Sequence, residues 1–100
     1  MSRMETIIRE EARLIILREL DKQPDGRLNS SLLQQVLDSF AISRSRDWLH
    51  EELRWLKEVG AVELTEIGSV RVAELTAKGS DHVSRHIVLD GVKRPSAIGA

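Results

Sequence analysis

Ala41–Leu64 reads AISRSRDWLHEELRWLKEVGAVEL, and this stretch decides the fold. It runs through a turn, a helix opened by Ser43, a stop at Gly60 and the start of a strand. Leu49, Leu53 and Leu56 recur at helical spacing and form a stripe that faces a core. The order is the one in which a helix-turn-helix hands over to the β-hairpin of a winged helix, so one helix can be searched for contacts to DNA.

At about 100° per residue, the apolar arc of that helix runs from Trp55 through Val59 and Leu56 to Leu49 and Leu53. Arg46, His50, Arg54 and Lys57 line one edge of the opposite side, and Asp47, Glu51 and Glu58 line the other. A basic edge of this kind suits a phosphate backbone. The alternative is a solvated helix laced with pairs such as Glu51–Arg54 and Arg54–Glu58. Arg44, Ser45, Arg46 and His50 are the candidates for base edges or nearby phosphates, and Arg54 and Lys57 for the backbone. Trp48 and Trp55, seven residues apart, lie at the margin of the apolar arc and suit packing under the hairpin or against the first helix.

The flanking sequence completes the pattern. Thr6 to Asp21 forms a first helix whose middle turn, Leu14-Ile15-Ile16-Leu17, is apolar all round, so it is either enclosed or meets a second copy. A homodimer through the first and last helices is the resulting expectation. Gln23-Pro24-Asp25-Gly26 is a turn, and Arg27-Leu28-Asn29 a short strand. Asn29, Ser30 and Ser31 offer caps for a second helix, with Ser31 and Gln34 spaced as a capping box. After Gly60, Val62 and Leu64 alternate with Glu63 and Thr65, and Val70 and Val72 with Arg71 and Ala73, around Ile67-Gly68-Ser69. This is a hairpin. Its Glu63, Glu66 and Glu74 outnumber Arg71, the one hairpin residue expected at DNA. Thr76 caps a last helix over much of Lys78 to Leu89, with Val83 and Ile87 inward, leaving residues 91–100 as an extended tail behind a domain of residues 1–90.

The 100 residues make one small domain, and 41% hydrophobic with 31% charged residues describe a globular chain. Its net charge of -1 means that affinity for nucleic acid must come from a local patch. Without cysteine there are no disulfides and no thiolate metal sites. His82 and His86 stand at i, i+4 beside Asp81, but two ligands per chain are a thin metal site, and they read as ordinary exposed histidines. No phosphate loop, GxSxG or HExxH is present, and the pairs Glu10–Glu11 and Glu51–Glu52 cannot converge on a substrate. Neither an enzyme nor a bound cofactor is expected. The polar, acidic N-terminus and the short apolar runs lead to the expectation of a cytoplasmic protein with no membrane segment.

NSSLLQQVL, SRSRDWLHEELRWLKEVGAV and GSVRVAELTAKG together look like winged-helix regulators of the ArsR and MarR type. More closely, LNSSLL, SRDWLHEELRWL, VRVAELTAKG and GVKRPS resemble small winged-helix proteins of Mu-like phages and prophages, often labelled ArsR-like transcriptional regulators. The resemblance implies a mainly α fold with a small β-hairpin, a recognition helix over 44–59 and a wing over 61–75. It also implies a role as a double-stranded DNA-binding regulator. The rival reading is a winged-helix protein-interaction module for phage assembly or host takeover, without DNA.

Overall fold

The computed structural model describes residues 2–96. The elements run α1 (Arg3–Lys22), β1 (Arg27–Asn29), α2 (Ser30–Ser39), α3 (Arg46–Glu58), β2 (Val62–Ile67), β3 (Val70–Leu75) and α4 (Ala77–Val83). The fold is α+β: helices enclose a three-stranded antiparallel sheet of order β1-β3-β2. Among the described residues, no helix is long and apolar enough to cross a membrane.

Caps set the helix starts. Ser2 accepts from Glu5 N, so α1 begins a turn earlier than Thr6. At α2 the cap is Asn29, which accepts from Leu32 N at 2.9 Å, and the Ser31–Gln34 box does not form. Gln34 instead donates to Arg44 O at 3.0 Å, tying α2 to the turn ahead of α3. The cap of α3 is Ser45, not Ser43; its hydroxyl accepts from Trp48 N at 3.1 Å.

Left-handed residues set the ends. Ala41 (φ 63°) and Gly60 (φ 84°) each close a Schellman turn, and the next residue, Ile42 or Ala61, is buried. Arg85 (φ 66°) does the same after α4, with His86 N donating to Asp81 O. The last helix therefore stops at Val83 and does not continue toward Leu89. Val83 is partly buried, but Ile87 is 36% exposed, not inward as expected.

Leu14, Ile15, Ile16 and Leu17 are all buried by the chain's own elements, so the all-apolar turn needs no second copy to cover it. In the sheet, Leu64 and Leu28 both stand opposite Ala73. The inward residue of β3 is thus Ala73, fully buried, and not its valine neighbours. This parity puts Arg71 on the sheet face that α3 covers.

Glu52 joins α3 to α1. It lies at about 40° on the α3 wheel, inside the apolar arc, and its side chain is 2% exposed. Its carboxylate accepts from Arg9 Nη1 and, at 2.7 Å, from Arg13 Nε. Arg13 stacks on Trp55 at 3.8 Å from the ring centre, and Arg9 lies over Trp48 at 5.1 Å. The tryptophans therefore pack against α1 and not under the hairpin. Arg13 Nη1 also donates to Gly91 O at 2.8 Å. Gly91 adopts φ 92°, and a Cβ there would meet the Trp55 ring at 2.6 Å.

Beyond Gly91 the chain stays on the domain. Val92 is buried in the core, and Lys93 N donates to Glu10 O at 3.2 Å. The expected tail over 91–100 thus begins as a strap docked on α1, and its residues 97–100 lie outside the described residues. His82, expected to be exposed, is fully buried and holds this strap: Leu89 N donates to its Nδ1 (3.0 Å), and its Nε2 donates to Lys93 O (2.9 Å).

Glu52→Gln keeps the shape of the joint but removes the charge shared by two arginines. Their side chains are only 19% and 12% exposed. We expect a loss of about 3 kcal/mol, the scale for removing one member of a buried ion pair. Urea unfolding followed by tryptophan fluorescence measures it.

Candidate nucleic-acid interface

With Leu49, Glu52, Leu53 and Leu56 buried, α3 turns its opposite side outward. Arg46, Arg54 and Lys57 are exposed there, and none has a carboxylate partner among the described residues. The pairs Glu51–Arg54 and Arg54–Glu58 do not form. Arg46 Nη1 instead reaches across to Ser69 Oγ in the hairpin turn, at 3.4 Å. Between α3 and the hairpin lies a cavity of about 280 Å3 lined by His50, Arg54, Lys57, Leu64, Glu66 and Arg71.

Strand register sorts the hairpin's charges. Glu66 stands opposite Arg71, and Arg71 Nη2 contacts its carboxylate at 3.0 Å. Glu63 and Glu74 stand opposite each other on the other face of the sheet. Two of the three hairpin glutamates therefore point away from the basic groove.

His50 sits at the floor of this groove, half-buried. Its Nε2 is 3.2 Å from Ser30 Oγ, which also accepts from Arg71 N at 3.0 Å. One buried hydroxyl thus ties α2, α3 and β3 together. Burial, and then the positive charges of Arg71 and Arg46, hold the imidazole below its ordinary pKa, so it is neutral near pH 7.

Two residues expected at DNA are committed elsewhere. Arg44 Nη1 donates to both carboxylate oxygens of Glu5 (2.9 and 3.0 Å), and its guanidinium lies 5.1 Å from the Trp48 ring centre. Ser45 spends its hydroxyl on the α3 cap. The structure thus brings together Arg46, His50, Arg54, Lys57 and Arg71, and withdraws Arg44 toward α1.

Sequence reasoning missed Ser30, Glu5 and Glu52. Glu52 had a legible signal, a carboxylate inside an apolar arc. Ser30 had none, because its role rests on the contact of three elements distant in sequence. His82 and His86 do not form a pair: the first is enclosed, and the side chain of the second is 73% exposed. Among the described residues, no group of three His, Cys, Asp or Glu could hold a metal ion.

A search of known proteins finds a relative in Escherichia phage Mu, the uncharacterized protein gp26. It is 35% identical over 89 residues, which span 89% of this chain and 92% of the relative. The chain belongs to the family of Mu gp26. It is a Mu-like phage protein, as the resemblance of its motifs implied. No family model matches it, and no solved structure matches it.

Glu5 gives this region a titratable hold. Hydrogen bonds from Arg44 and then Trp48 keep its carboxyl below the ordinary value of 4.5. Its contribution to stability is therefore complete above pH 4.5 and is lost as pH falls through the lower folded-state value. We expect Glu5→Gln to flatten the decline in stability below pH 4.5, read from thermal unfolding of both proteins across that range.

Proposed function

We propose that this phage protein is a winged-helix protein that binds double-stranded DNA as a small transcriptional regulator. The carrying observation is the outer edge of α3, where Arg46, Arg54 and Lys57 stand exposed without carboxylate partners among the described residues and Arg71 joins them across the groove. Two further features support it. The order helix, strand, helix, turn, helix, hairpin is that of a winged helix, with α3 in the position of the recognition helix. At about 1.5 Å per residue, α3 is about 20 Å long, a rod of the width that a major groove admits.

In this reading, Arg54 and Lys57 lie along phosphates, and Arg46 bridges from α3 to the hairpin tip. The Glu66–Arg71 pair lowers the contribution of the hairpin, so affinity rests on the helix. With a net charge of -1 the contact is confined to this local patch, and its salt dependence is set by the number of phosphates the patch neutralises.

A protein-interaction role keeps one specific support. A cavity of about 490 Å3 lies on another side of the domain, lined by Ile15, Phe40, Val83 and Pro95 among others, with Phe40 55% exposed. The tryptophans lend it no support, since Arg9, Arg13 and Arg44 lie over them.

Fluorescence anisotropy with a mixed pool of labelled duplexes tests the DNA reading from low to physiological salt. We expect binding that weakens steeply with salt, and Arg54→Ala/Lys57→Ala to weaken it further and to reduce the salt slope by about two, one per phosphate contact. Absence of binding at low salt contradicts the proposal.

A further inference from the structure

Of the groups on the α3 surface, the imidazole of His50 is anchored most closely. Arg54 and Lys57 end in exposed groups with no partner among the described residues, which suits them to phosphates that any sequence provides. The imidazole is fixed from behind by Ser30. Ser30 is 1% exposed, and its oxygen already accepts from Arg71 N. A buried hydroxyl proton needs an acceptor, and His50 Nε2, 3.2 Å away, is the partner available to it among the described residues. The hydroxyl proton therefore points at Nε2, and the proton of the neutral ring is placed on Nδ1. That nitrogen has no partner among the described residues. The result is a held, uncharged N–H donor in a groove lined by Arg54, Lys57 and the Arg71–Glu66 pair.

From this geometry we infer that His50 is the specificity-determining residue of the surface. Its Nδ1–H donates to an acceptor on a base edge, such as purine N7 or guanine O6, and Ser30 is the positioning residue that fixes its tautomer. The assignment rests on the DNA reading above and adds which residue discriminates among sequences. Fixing matters because the other tautomer would present a lone pair to the same atom and favour a donor edge instead. Protonation of the ring leaves the Nδ1 proton in place. It also puts a proton on Nε2, so the Ser30 hydroxyl can no longer donate there, and the hold on the ring weakens as pH falls through the imidazole titration.

Selection from a randomised duplex pool, run in parallel with wild type, Arg54→Ala, His50→Ala and Ser30→Ala, tests the assignment. Each variant is first matched to wild type by circular dichroism. We expect wild type and Arg54→Ala to enrich the same motif, with weaker binding and a shallower salt slope for Arg54→Ala. His50→Ala and Ser30→Ala should both lose preference, by about tenfold, at one shared base pair while keeping the wild-type salt slope. Retention of full preference at every position by either variant overturns the assignment. So does a wild-type protein that binds duplexes without selecting any, which leaves the DNA reading standing. A wild type that binds no duplex at low salt removes both.

Discussion

The carboxylate of Glu52 governs how this small domain is put together. It lies within the apolar arc of α3, where a leucine would otherwise be expected, and takes hydrogen bonds from two arginines of α1. Each arginine then covers a tryptophan of α3, and one of them reaches the carbonyl of Gly91. Burial of Leu49, Leu53 and Leu56 sets which side of α3 faces the core. A buried charge accepting from fixed donors has one good position. The rotation of α3 about its axis, and with it the set of residues facing outward, follows from the leucine stripe and the Glu52 contacts together.

That rotation separates charges that the sequence interleaves. The α3 helix carries acids and bases in nearly equal number, as the whole chain does. Glu52 is drawn inside, Arg44 is held by Glu5 at the far side, and Arg46, Arg54 and Lys57 are left together. The hairpin sorts its charges by the two-residue period of a strand, with Glu63 and Glu74 on one face and Glu66 and Arg71 on the other. A chain of net charge -1 thus carries a local positive strip, which is the feature that the proposed contact with DNA needs.

Much of the fold was legible because its signals are local. The helical leucines of α3, the Pro24–Gly26 turn, the Arg27–Asn29 strand and the hairpin around Gly68 all occur where periodicity and turn chemistry place them. Misplacements came where two local options compete and a distant contact chooses. Ser43 and Ser45 are both competent caps, and only the latter meets the entry of the chain into α3. Arg85 takes the left-handed conformation although it is not glycine, which ends α4 early while His82 holds the strap against it. Ala73 turns inward in preference to a valine, fully buried in the core. At the site, the exposed cations were readable from spacing, but the Ser30–His50–Arg71 junction was not, because it joins residues 20 and 41 positions apart.

We propose that the α3 edge and the hairpin face beside it form the surface that meets DNA. Amide chemical-shift mapping by NMR, during titration with a duplex at low salt, tests it residue by residue. We expect shifts to concentrate at Ser30, Arg46, His50, Arg54, Lys57 and Arg71, with the Phe40–Val83 side unchanged. Shifts confined to that other side, or no shifts at a concentration that saturates anisotropy, would rule this surface out.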